Sequence, residues 1–157
     1  MKDASVVPIK SALSCLSYGV YVVSARSGDR VNAMTVRMAT QVSMRPPCIA
    51  LSLRARSLTC EFVLESGAFA VNVLAHGQEL LGGHFGLRSG RNADKFSALP
   101  YGTGLTGAPL LCDCAAILEC RVAATHKVGQ SILVIGEIIH AETFNRTPLV
   151  YRESDYY

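Results

Sequence analysis

The strongest constraint on this chain is its punctuation. Short apolar runs rich in Val and Ile recur along it, and glycine or proline stops almost every one. Val20-Tyr21-Val22-Val23-Ser24-Ala25 ends at Ser27-Gly28-Asp29-Arg30, a turn signal, and a second strand follows from Val31 into Thr35 and Val36. The pair reads as a hairpin. Gln41-Val42-Ser43 leads to Pro46-Pro47, which has no place in a central strand, so the next strand starts at Cys48 and runs through Ile49 to Leu53. Phe69 to Leu74 is another strand. Ala116 to Ala124 and Ile132 to Ala141 are two long ones joined at Lys127-Val128-Gly129, and Pro148 to Tyr151 is a candidate edge strand. The near-continuous apolar stretch Ile132 to Ile135 implies burial on both faces, as at a subunit interface.

Helical signals are few. One runs from Pro8 through Ile9, Leu13 and Leu16 and stops before Gly19. A second covers Leu58 to Glu65, with Ser57 as N-cap and Gly67 as stop. A third spans residues 76–85 and is weakened by Gly82 and Gly83. About six or seven strands with two or three short helices do not alternate as βαβ units. The expected fold is mainly β, a small antiparallel barrel with peripheral helices.

With 157 residues, half of them hydrophobic and 17% charged, the chain has the profile of one globular domain, residues 1–157, and not of a disordered tail. No internal repeat or composition shift marks a second unit. No charge-free apolar run approaches the roughly 18 residues of a spanning helix, so no membrane role is expected. Fifteen Lys and Arg against twelve Asp and Glu leave +3, scattered with no basic run, which argues against a nucleic-acid partner. Met1 to Lys10 is too polar for a signal peptide, and the six cysteines lie mostly in apolar segments where free thiols pack as small hydrophobes. A reducing cytoplasm is the expected location.

Catalytic constellations are missing from the sequence. It holds no Gly-x-Ser-x-Gly elbow, no His-Glu-x-x-His and no P-loop. His76, His84, His126 and His140 fall on separate elements without metal-ligand spacing, and Cys112-x-Cys114 is the wrong spacing for a redox or zinc pair. No side-chain catalyst and no metal ligand are assigned. A cysteine redox protein built on Cys112 and Cys114 is an alternative that their replacement by Ser would separate.

Two segments carry anion-binding chemistry. Ser52-Leu53-Arg54-Ala55-Arg56-Ser57-Leu58-Thr59 runs off a strand into a helix N-terminus, where unpaired N–H groups and the helix dipole favour an anion. Ser57 and Thr59 add hydroxyls and Arg56 adds charge. Phe85 to Phe96 is rich in glycine and carries Arg88, Arg91 and Lys95. Read alone, the first is equally an N-cap beside a solvated arginine, and the second an exposed loop. A small barrel binding some phosphorylated ligand stays open on these residues.

The order and spacing of longer motifs narrow this. Leu16-Ser17-Tyr18-Gly19-Val20-Tyr21-Val22-Val23, Gln41-Val42-Ser43 with Pro46-Pro47, and Ser66-Gly67-Ala68-Phe69-Ala70-Val71 come first. Phe85-Gly86-Leu87-Arg88-Ser89-Gly90-Arg91 with Asp94-Lys95-Phe96, Thr106-Gly107-Ala108-Pro109-Leu110, and Gly136-Glu137-Ile138 follow. Together they resemble the flavin reductase-like, FMN-binding split-barrel family, and within it the ferric reductase, rubredoxin-reductase and flavoredoxin-like flavin domains.

The resemblance implies a small antiparallel split β-barrel of Greek-key type, and a homodimer with FMN (or FAD) held non-covalently near the interface. It implies NADH or NADPH as hydride donor, and ferric iron, free flavin, a redox partner protein or a monooxygenase as the destination of the electrons. By position, Met34, Thr35, Val36, Arg37 and Met38 run along the isoalloxazine ring. Ser52, Leu53, Arg54, Arg56, Ser57 and Thr59 wrap the ribityl chain and phosphate, and Arg88, Ser89, Gly90 and Lys95 reach the phosphate end from the second loop. The chain departs from the family at Gly129-Gln130-Ser131, where the family carries His third, at Asn32-Ala33 in place of Asn-Gly, and at Arg37. The Ser131 departure keeps open an electron carrier that does not use NAD(P)H.

Overall fold

The computed structural model describes residues 6–157. A helix α1 (Val6–Leu13) is followed by the hairpin β1 (Tyr21–Ser27) and β2 (Arg30–Val36). The two-residue connection has Gly28 at φ +62°, which suits the twist of the flanking strands. Next come β3 (Ala39–Met44), β4 (Pro47–Arg54), α2 (Leu58–Ser66), β5 (Ala68–Val73) and α3 (Glu79–Gly86). Two short strands, β6 (Tyr101–Thr103) and β7 (Pro109–Leu111), pair with each other. The long hairpin of β8 (Ala116–Val128) and β9 (Ser131–Thr143) completes the strands.

The main sheet has the order β2-β1-β5-β8-β9-β4-β3, antiparallel at every junction. Val36 of β2 and Ile49, Leu51 and Leu53 of β4 stand near opposite ends of that order. They nonetheless share one buried core with Phe62 and Val63 of α2. The sheet therefore curls around α2 while its edge strands β2 and β3 stay unpaired with each other, which is a split barrel. Register shifts at Glu119/Cys120 and Val122/Ala124 in β8 supply the local bends that curling needs. Gly136 lets the two sides close: a Cβ there would lie 2.5 Å from the Phe69 ring.

A second core covers the other face of the hairpin. Val20, Val22 and Ala33 pack against Phe85 of α3, Phe96, Leu111 and Leu149. The Phe85, Phe96 and Tyr101 rings follow one another at 5.1 and 5.0 Å between centroids. With cover on both faces, the run from Val20 into β1 is apolar through Val23, which is why it stands out in the sequence.

The expected strands are present, with differences. There are nine rather than six or seven, because β3, β6 and β7 had not been anticipated. The last hairpin is longer at both ends, turning at Gly129-Gln130 with Gly129 at φ +57°. Residues 148–151 make only isolated bridges, Ala75 with Pro148 and Gly19 with Val150, so the expected edge strand does not form. Part of the polar N-terminal stretch, residues 1–5, lies outside the described residues. Among those described, no helix is long and apolar enough to cross a membrane, and no three metal-ligating side chains converge.

Candidate functional site

The end of β4, the start of α2, strand β2 and the loop after α3 meet at a cleft of about 380 Å³. Ten of the fifteen residues expected at the site line it. Met34 and Thr35 come from β2, Arg54 and Arg56 from the β4–α2 turn, Ser57 and Thr59 from the start of α2, and Arg88, Ser89, Gly90 and Lys95 from the second loop. Two stretches separated by about thirty residues of sequence thus share one concavity, as a phosphorylated ligand requires.

The α2 end of the cleft is built for an anion. Ser57 caps the helix, its Oγ accepting from Cys60 N at 3.1 Å and donating to the Arg54 carbonyl at 2.8 Å. The Leu58 and Thr59 N–H groups have no partner within the helix, which is the usual state of a first turn and an anion's opportunity. The guanidinium groups of Arg54, Arg56 and Arg88 are in no ion pair among the described residues. Arg91 is different: it is tied to Glu61 at 2.8 Å and to the Arg56 carbonyl at 3.1 Å, so it braces the second loop against α2 instead of facing the cleft.

The end of α3 and the loop after it approach β2 closely because Gly86 and Gly90 have no side chain. A Cβ on Gly86 would sit 3.1 Å from Thr35 Cβ, and one on Gly90 would collide with the Asn32 carboxamide. Thr35 Oγ1 donates to the Gly82 carbonyl at 2.6 Å, joining β2 to α3. Lys95 is buried, and its ammonium donates to the carbonyls of Ala33 at 2.9 Å and Phe85 at 3.0 Å. Burial without a carboxylate partner pulls its pKa down from 10.5 to about 8.

Five expected residues sit elsewhere. Leu53 is fully buried and Val36 nearly so, both in the core under the sheet, so neither side chain faces the cleft. Ser52 is half-buried in β4 and gives its backbone N–H to the Met38 carbonyl at 3.0 Å, while the Met38 side chain is exposed. Arg37 lines an adjoining recess of about 370 Å³ shared with Thr35, Arg54 and Gly86, where its guanidinium stacks over Tyr151 at 4.7 Å and Tyr18 at 5.3 Å.

Five further residues line the cleft: Leu58, Phe85, Gly86 and Leu87, which lie in the two anion-binding segments, and Asn32, which lies in neither. Asn32 is nearly fully buried and donates from Nδ2 to Thr59 Oγ1 at 2.9 Å, linking β2 to α2 under Gly90. Its signal was a lone carboxamide inside an apolar strand. Asn32, Leu58 and Gly90 also border a cleft of about 570 Å³, but there Asp29 and Asp94 offset Arg30 and Arg91, which removes the positive excess an anion needs.

Residues 13–157 match the flavin reductase like domain. This chain belongs to that family. Membership makes it a flavoprotein oxidoreductase of the flavin reductase type. Among its relatives is the high molecular weight rubredoxin of Moorella thermoacetica, 37% identical over 132 residues, 83% of this chain. The chain spans only 58% of that protein's length. The reductase component of 4-hydroxyphenylacetate 3-monooxygenase from Thermus thermophilus is 33% identical over 157 residues, 99% of this chain and 95% of the relative. The NADH:FAD oxidoreductase SgcE6 of Streptomyces globisporus superposes with a TM-score of 0.86 at 26% identity, over 96% of this chain and 91% of that one. Agreement over more than nine-tenths of each chain makes the likeness one of the whole fold.

Proposed function

We propose that this chain holds FMN in the cleft between α2 and the second loop, takes a hydride from NADH or NADPH, and passes electrons to a second acceptor. The observation that carries the reading is the convergence of two α2 N–H groups, Arg56, Arg88 and a glycine-bearing loop beside the β2 edge, in a member of the flavin reductase family. Hydride acceptance and electron release are the chemistry a bound flavin supplies, so the protein's part is position and charge. Arg54, Arg56, Arg88 and the α2 N-terminus hold the phosphate. Met34 and Thr35 flank the ring, and Arg37 with Arg54 in the adjoining recess favours a negatively charged reduced ring electrostatically. None of these roles needs a side-chain acid, base or nucleophile.

The acceptor is a small ferric or flavin species, or a partner enzyme such as the monooxygenase for which the Thermus relative is the reductase. The one domain works as a homodimer. In support, the exposed edge strand β3 carries Val42 and Met44, and β9 leaves Leu133 and Ile135 partly exposed, which is apolar surface a second copy would cover. Serine at position 131, where the family has His, favours a second reading in which FMN is bound but nicotinamide is not used.

One experiment separates these. Purified protein is mixed with FMN, desalted, and titrated anaerobically with NADH and NADPH while visible absorbance is followed. Retained flavin that bleaches with a nicotinamide supports the reductase; retained flavin that bleaches only with dithionite supports the carrier. Loss of all flavin on desalting overturns both.

A further inference from the structure

A second recess, of about 550 Å³, opens between the β4–α2 turn and the tip of the β8–β9 hairpin. Its charged lining groups are Arg54, Arg56 and Lys127, and no carboxylate borders it. The backbone that sets these three side chains apart is fixed. Arg54 is in register with Ser131 across β4 and β9, Ala55 N donates to the Gln130 carbonyl at 3.0 Å, and Gly129 turns the hairpin at φ +57°. None of the three cations has an ion-pair partner among the described residues. Like charges gathered at one recess repel, and burying them under a ligand is favourable only if that ligand is anionic.

Arg54 and Arg56 line this recess and the flavin cleft alike, so the two are contiguous at the flavin's phosphate end. An anion here would neighbour the first phosphate across Arg54 and Arg56 and would meet Lys127, which the flavin cleft lacks. We propose that the recess is a second phosphate subsite, formed by Lys127 together with the outer sides of Arg54 and Arg56. It takes the additional phosphate-bearing part of a dinucleotide. That chemistry is shared by the 2′-phosphate of NADPH and the adenylate of FAD. The inference rests on the flavin reading above.

Lys127 is the residue to test, because it borders this recess and not the flavin cleft. In Lys127→Gln and Lys127→Arg proteins, Kd is measured for FMN and FAD by flavin fluorescence, and KM for NADPH and NADH on the FMN-loaded protein. The FMN Kd should be unchanged in both variants. If the anion is the 2′-phosphate, Lys127→Gln raises the NADPH KM about tenfold, equivalent to about 1.4 kcal/mol, and leaves NADH unmoved. If it is the adenylate, the same loss falls on FAD and spares FMN. Lys127→Arg restores either one. Equal shifts for NADPH and NADH together with equal shifts for FMN and FAD overturn the subsite, as does no shift at all in protein that retains FMN. Wild-type protein that retains no flavin fails the flavin reading itself, and the subsite with it.

Discussion

The Lys95 ammonium donates to the Ala33 carbonyl at 2.9 Å, so a cation on the second loop is tied to the middle of β2, 62 residues earlier in the chain. The same group donates to Phe85 in the last turn of α3, where the helix dipole also favours a positive charge. The loop is fastened further by His84, whose Nε2 lies 2.7 Å from the Lys95 carbonyl oxygen. Lys95 thus holds together three of the walls of the cleft rather than presenting a free charge to a ligand.

Its titration follows from that placement. Burial lowers the pKa from 10.5 to about 8. Between those values the unfolded chain keeps a proton that the folded chain has lost, so stability gains from this group as pH rises through the window and carries the full cost of the buried charge below it. Lys95→Met leaves two carbonyls unpaired and should cost about 2 kcal/mol at pH 7. It also removes the linkage. The stability difference between wild type and Lys95→Met, from urea unfolding at pH 7, 8.5 and 9.5, should widen in favour of wild type as pH rises. A difference that stays flat would show that Lys95 does not titrate in this range.

Ser57 presents a different balance. Its hydroxyl already accepts from Cys60 N and donates to the Arg54 carbonyl, so its only proton is used within the protein. Ser57→Ala should therefore act first on the helix, lowering stability by about 1 kcal/mol as N-cap losses do. Arg56→Gln should leave stability nearly unchanged and weaken FMN binding more than Ser57→Ala does. Thermal melts beside flavin titrations read both, and the reverse order in affinity would make Ser57 the stronger phosphate contact.

How far the sequence reveals this fold depends on how local each signal is. The β1–β2 turn and both ends of α2 were legible because Gly28, Ser57 and Gly67 act on their immediate neighbours. The short strands β6 and β7 were not, since three residues carry no period. β7 is held from far away, by Asn72 Oδ1 accepting from Leu111 N at 2.8 Å and Ser24 Oγ donating to the Pro109 carbonyl at 2.5 Å. β3 was hidden because its residues are largely exposed and mixed in character. The cleft was partly legible through the two anion-binding segments, but β2 and β4 are covered on both faces. Met34 and Val36 share a face and a core, and alternation does not say that Met34 also reaches the cleft while Val36 and Leu53 stay beneath the sheet.

Gly90 tests how closely the second loop must approach. A methyl there would run into the Asn32 carboxamide, which is itself engaged with the buried Thr59 hydroxyl at 2.9 Å. Either the loop lifts or the Asn32–Thr59 bond is lost, and both deform the anion end of the cleft. Gly90→Ala should weaken FMN binding at least about tenfold, roughly 1.4 kcal/mol. Gly102→Ala is the control, because a Cβ at Gly102 meets nothing within 4 Å. Equal affinity in the two variants would mean that the loop tolerates the displacement.

Glu119 governs the acid limb of stability. Its carboxylate is fully buried in β8 and accepts from Leu105 N at 3.2 Å, Thr106 N at 3.0 Å and Thr106 Oγ1 at 2.8 Å. Burial alone pushes its pKa up. The Thr106 and Leu105 donors, with His140 opposite in register, outweigh that and hold the carboxyl below 4.5. A depressed carboxyl contributes stability that is present above the unfolded value and is lost as pH falls through the folded one. Glu119→Gln replaces one acceptor by an NH₂ group facing backbone donors and should cost about 1–3 kcal/mol at pH 7. As pH falls below 4.5 the unfolded chain takes up a proton that the folded carboxyl resists, so wild type loses stability and the gap between the two proteins should narrow. Urea midpoints at pH 7, 5 and 3.5 measure it, and a gap that is constant across that range would place the acid sensitivity on other carboxylates.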